Sequence, residues 1–422
     1  MASIFPIVCN QVVTVLLGLL GAKLISAFVP KATYGYYANF LTLTQLGVMV
    51  THSGILNHAM RYWQREKPQT GGYSRFVWTV SWRGLSTLGP LLFLVSAAVA
   101  FWEGDFAWVW VLPWLLFGSM AVVWSAIATS VLNADRKLWD VLVVSLVGTA
   151  ARTLAPIGLA LVAGMTFFNL SAGFALHGLV LLGCLSLFFG RMFQAPSPTP
   201  DQARQWKQEL KDYGRPFALL GIGAWLLQSV DRWVVWLFFG EAQAGLFAYA
   251  FALGAIIPTF TVGAVMQRVF PDVFKKADQA RTSLEWRQIA QRCDHVTALF
   301  LVVTVAGLVV LQAAGPLLMG WLISSEYAPS IEMLVPAGFA MVAAQVNQFY
   351  YLLLQGQHNS AGMVKVMTTV AGVKSAGSLI AAAISWPVFL GWLIVSTVVS
   401  GLIGRQLIRK MALERTEYGP TG

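Results

Sequence analysis

Twelve apolar stretches, each about 20 residues long, constrain this chain more than any other feature. They lie near 5–29, 36–60, 76–101, 107–132, 141–163, 171–190, 216–239, 245–267, 294–316, 331–354, 363–383 and 387–404. Twenty residues of helix reach about 30 Å, the thickness of a bilayer's hydrocarbon core. Lipid offers no hydrogen bonds, so each stretch must satisfy its own backbone, which a helix does. The expected fold is an all-α integral membrane protein with twelve transmembrane helices. Composition agrees: 57% of the 422 residues are hydrophobic and 11% are charged, against about 25% charged in soluble domains.

A net charge of +10 raises nucleic acid as a partner. The basic residues form no single patch, however. They gather in alternate connectors: Arg61, Arg65, Lys67 and Arg75; Arg136 and Lys137; Arg191 through Arg215; Arg268 through Arg292; Lys365; and the tail from Arg405 to Arg415. The opposite connectors hold only Lys31. This is the charge pattern of membrane topology and not of nucleic-acid binding, and it sets both termini in the cytoplasm. The opening MASIFPIVCN has no Lys or Arg, so the first span is expected to be retained. Cys9, Cys184 and Cys293 have no metal-ligand or CxxC spacing and are expected to be free thiols. GLLGAK lacks the spacing of a phosphate loop. No cofactor or metal is expected.

The segment 191–215, Pro-rich, then charged and expected to be helical, follows the sixth span. It divides the chain into an N-terminal six-helix lobe (1–190), a cytoplasmic linker and a C-terminal six-helix lobe (216–422). A weak repeat supports the division. Residues 29–43 overlay 239–253 at a shift of 210, which puts Gly35 on Gly245; residues 133–139 overlay 355–361 at a shift of 222. The second shift also carries Arg152 onto Lys374. Six spans per half give a pseudo-two-fold along the membrane normal, with substrate expected between the halves near the midplane.

Charged residues inside the spans are the candidate site. Arg152 sits near the middle of its span, four residues before Pro156, and Lys374 has the matching depth. Neither has an acidic neighbour within four residues. A cation there costs about 2.5–3.5 kcal/mol on insertion scales, so both are expected to line a water-filled cavity. Lys23, Arg83 and the Asp231-Arg232 pair add to them. Each of these either binds substrate or plays a structural part: Arg83 can snorkel, and Asp231 can neutralise Arg232 or couple to an ion. The positive sum favours an anion such as phosphate or pyrophosphate. His52, His58 and His177 read as packing residues ahead of proton relays. Asn57, Gln228, Asn347 and Gln348 either bond sugar hydroxyls or pair helices.

Residues 18–64, with Lys23 in GAKL, Gly35, Ala38-Asn39-Phe40 and Gly54-Ile55-x-Asn57, resemble the start of Wzx-type lipid-linked oligosaccharide flippases. SVDRWVVWLFFGEAQAGLFAYA (229–250) resembles the polysaccharide transporter signature, with Phe247 where Tyr is usual. Twelve spans in two halves are similar to the wider multidrug/oligosaccharidyl-lipid/polysaccharide exporter superfamily. The resemblance implies a V-shaped flippase in the bacterial inner membrane, not an enzyme. It would carry an undecaprenyl-pyrophosphate-linked O-antigen-like repeat unit to the periplasmic leaflet by alternating access. Lys23, Arg83, Arg152, Arg232, Lys374 and Asn57 would bind substrate, and Asp231 would be the coupling candidate. Its partners would be that lipid, membrane lipids, a coupling proton or sodium ion, and other polysaccharide assembly proteins. Two rivals stand beside it. A drug/cation antiporter needs carboxylates deep in its spans, and only Asp231 qualifies. A membrane glycosyltransferase or ligase usually needs a long acidic external loop, and Glu103, Asp105, Glu241, Glu326 and Glu332 are scattered over short ones.

Overall fold

The computed structural model describes residues 5–66, 70–104, 106–134, 137–193, 197–280, 282–318, 321–357 and 359–417. Its helices are α1 (Phe5–Phe28), α2 (Lys31–Glu66), α3 (Thr70–Glu103), α4 (Ala107–Trp110), α5 (Leu112–Ala134), α6 (Leu138–Ala163) and α7 (Phe167–Phe193). Then follow α8 (Pro200–Gly254), α9 (Ile256–Gln279), α10 (Ser283–Leu318), α11 (Leu334–Gln345), α12 (Gln348–Gly356), α13 (Ser360–Ile384) and α14 (Trp386–Glu417). A 3-10 turn, Ser325–Met333, precedes α11. Every expected span falls on helix for most of its length, the one at 331–354 starting in that turn and broken at Val346 and Asn347.

Nine helical stretches among the described residues are long and apolar enough to cross a membrane. One of them, Pro216–Gly263, has 48 residues, about 72 Å of helix and enough for two crossings. It is divided at Gly240, whose φ of 83° only glycine adopts readily. The protein is a multi-pass membrane protein.

The chain forms two compact units, Met1–Ile222 and Gly223–Gly422. In the first, α6 packs on α7 and α1, and α5 packs on α2 and α7. Pro156 gives no N–H to its own helix, and Gly173 of α7 meets it there. A Cβ on Gly173 would lie 2.7 Å from the Ala155 carbonyl oxygen, so only glycine lets α7 come this close. In the second unit, α13 and α11 pack on α14, and α9 packs on α10 and α12.

The unit boundary lies beyond the segment read as a linker. Residues 200–215 are helical, at the start of α8. Trp206 is 1% exposed and meets Tyr73 edge to face, with ring centroids 5.2 Å apart. It belongs to an apolar core with Ile55, Phe76 and Trp124. Gly54 of α2 meets Gly214 so closely that a Cβ on Gly54 would come 2.7 Å from the Gly214 carbonyl oxygen. Burying an indole stabilises by about 2–3 kcal/mol, which holds this helix on the first unit.

Candidate functional site

In the first unit, α1 and α6 touch where Gly21 faces Thr153: a Cβ on Gly21 would sit 2.9 Å from the Thr153 Cγ2 methyl. Lys23 and Arg152 flank that contact and so stand at one level. Arg152 is exposed, and its guanidinium lies over the Phe174 ring at 6.0 Å. Its charge acts on Tyr37 of α2 and His177 of α7. Lys23 is half-buried. Among the described residues no carboxylate pairs with either cation. The site therefore offers two unneutralised cations beside a cluster of aromatic rings, in helices otherwise made for lipid.

Lys374 behaves differently, and the expectation that it stands unpaired is not met. It is fully buried. Its Nζ donates to Asp231 Oδ2 at 2.6 Å and to the Leu227 carbonyl. Ser378, one turn on in α13, donates to Asp231 Oδ1 at 2.7 Å. The partner comes from α8, 143 residues away, which no local pattern reveals. Trp392 Nε1 donates to the Lys374 carbonyl at 3.2 Å, over the bare face that Gly377 leaves on α13. Asp231 thus does not neutralise its neighbour Arg232, because consecutive helical residues point apart. Arg232 instead lies 4.8 Å over the Phe251 ring and donates to the Gln228 carbonyl at 3.3 Å.

Arg83 is exposed on α3 and lines a groove with the start of α8. Asn57 lies in α2, but its side chain is outside the described residues. Asn347 stands in the break between α11 and α12. It is 1% exposed and its Nδ2 donates to the Ser400 carbonyl at 2.9 Å, so it joins helices. The three histidines are buried and bonded: His52 to the Ser81 carbonyl, His58 to the Tyr73 hydroxyl and His177 to the Phe174 carbonyl.

One network escaped the sequence reading. Asp294 of α10 accepts from Arg405 Nε at 2.9 Å and Nη2 at 3.1 Å, lies 3.4 Å from Arg409 Nη1, and accepts from the Tyr350 hydroxyl at 2.8 Å. It ties α10, α12 and α14 together. Arg405 and Arg409 at i,i+4 were visible as one basic face, but nothing local pointed to Asp294.

The architecture is that of a known class of membrane transporter. A multidrug resistance MATE family transporter of the MOP superfamily, in its inward-facing conformation, matches with a TM-score of 0.66 and 13% identity, over 98% of this chain and 96% of its own. The lipid II flippase MurJ, inward closed, matches with a TM-score of 0.70 and 14% identity, over 96% and 87%. At such identities the likeness is one of fold. The family described as polysaccharide biosynthesis protein matches residues 24–332, and the chain belongs to it. No curated protein matches in sequence.

Proposed function

We propose that the protein is a flippase that moves an undecaprenyl-pyrophosphate-linked oligosaccharide, an O-antigen-like repeat unit, across a bacterial inner membrane. It works by alternating access, from the cytoplasmic to the periplasmic leaflet, without covalent change to the substrate. The observation that carries this reading is Arg152: an exposed cation at mid-span with no described carboxylate partner. Such a charge is tolerated where water or an anion solvates it. Its planar fork suits a pyrophosphate, with Lys23 as a second point charge. Membership of the polysaccharide biosynthesis family supports a saccharide cargo.

The antiporter reading loses support from Asp231. A drug cation needs a free carboxylate, and both oxygens of Asp231 are engaged, by Lys374 and Ser378. Asp231 stays the coupling candidate through this pair, which links α8 to α13. The test is purified protein in proteoliposomes with radiolabelled lipid-linked oligosaccharide in one leaflet. The label is expected to change leaflets with its chemical structure intact. A changed covalent structure would mark an enzyme, and drug transport without movement of the label would mark an antiporter.

Both termini belong to the cytoplasm in this reading. A cysteine placed at Ser325 is expected to react with an impermeant reagent in intact spheroplasts, and one at Glu417 only after lysis. Labelling of both from outside contradicts the topology.

A further inference from the structure

A groove of about 590 Å³ opens in the first unit between α2, α3 and the start of α8. Its walls are apolar, with Val50, Ile55, Phe76, Val80 and Leu210 among them. Its charged side chains among the described residues are three cations: Arg83, Lys207 and Lys211. All are exposed, and among the described residues none makes an ion pair. Lys207 and Lys211 share one face of α8 at i,i+4. The carboxylates of that helix turn elsewhere. Glu209 accepts from Gln205 at 3.0 Å and faces His58 at 3.9 Å, and Asp212 accepts from Gln208 at 3.0 Å.

We infer that this groove seats one anionic phospholipid of the bilayer, its phosphate on Arg83, Lys207 and Lys211 and one chain along the apolar wall. Three features converge on an amphiphile. The start of α8 is amphipathic: Trp206 is buried in the core of the first unit and the lysines turn outward, where a headgroup can reach them. Arg83 sits about two turns inside the apolar run of α3, so its side chain reaches toward the headgroup level. The groove joins these two depths. Charge and size then choose the occupant. Three unpaired cations want an anion, and cytoplasmic-leaflet anionic lipids gather at basic segments. The volume is that of a drug-sized site, too small for an oligosaccharide with its carrier. Among the described residues Thr79 is the only uncharged side chain there with a hydrogen-bonding group, so sugars find little to bind. This lipid is a resident of the first unit and separate from the transported molecule.

Native mass spectrometry of the detergent-purified full-length protein, with phosphatidylglycerol or phosphatidylcholine added, tests this. Wild type is expected to retain phosphatidylglycerol preferentially. Each of Arg83→Gln, Lys207→Gln and Lys211→Gln should lower that retention about fivefold, the worth of one basic residue near an anionic surface, with phosphatidylcholine unaffected. Thr79→Trp should block the groove and reduce phosphatidylglycerol with all three cations present. Thermal unfolding in detergent checks that each variant is folded. Equal retention of the two lipids by wild type overturns the proposal. So does unchanged phosphatidylglycerol in a folded triple variant, or its displacement by an equimolar amount of inorganic phosphate, which would show a bare anion site.

Discussion

Lys374→Met is expected to destabilise the second unit by about 3–5 kcal/mol, the cost of stranding one member of a buried ion pair. Asp231→Leu should cost a similar amount, because the ammonium of Lys374 then lies fully buried against one carbonyl. The double variant Lys374→Met/Asp231→Leu should be more stable than either single one. Ion pairs replaced by apolar side chains of like volume are often neutral or better, and Ser378 can turn its hydroxyl to the carbonyl one turn back. Thermal unfolding of the four proteins in one detergent measures this as a double-mutant cycle. Losses that simply add would show that the two residues do not act as a unit. If the double variant is stable and still fails to move lipid, the pair serves coupling as well as packing.

Arg152 should give the opposite pattern, with large loss of transport and little loss of stability. It is exposed and lies over the Phe174 ring, with no ion pair among the described residues, so removing it strands no buried charge. Arg152→Ala is expected to reduce flipping about 10- to 100-fold, the worth of a charge-assisted hydrogen bond of about 1.5–3 kcal/mol. Arg152→Glu should abolish flipping, since it would repel the proposed pyrophosphate cargo. Arg152→Lys should keep part of the activity, because the charge survives and the two-pronged donor does not. Surface polysaccharide in cells, alongside the amount of inserted protein, reports this. Normal polysaccharide with Arg152→Ala would make the residue structural.

The contrast between these two residues marks where the sequence stops being legible. Hydropathy located all twelve segments, because lipid leaves a backbone one way to satisfy itself. The repeat placed Arg152 and Lys374 in equivalent helices. It did not tell that one is exposed and the other buried, since that depends on Asp231 arriving from another helix. Depth can be counted along the chain; a partner 143 residues away cannot. The break at Val346 and Asn347 was hidden for the same reason, as it is fixed by a bond to Ser400 of α14. The helix at 200–215 was legible in the charged part of its segment, where Ala203, Trp206, Leu210 and Gly214 recur as a stripe at helical spacing; its seat on the first unit was not, since Tyr73 comes from α3.

That stripe bears on the order in which the chain becomes a protein. A fragment ending at residue 190 stops before Trp206 and leaves Tyr73 and Phe76 without the ring that covers them. Such uncovered aromatic surface is what chaperones and proteases recognise on an unfinished chain. During synthesis, the first six spans must therefore wait for about 30 more residues before this face is sealed, a delay of a few seconds at ordinary elongation rates. A half-molecule that ends at Ile222 carries its own cover, and the natural place to divide this chain lies inside a helix and not in the proline-rich stretch ahead of it.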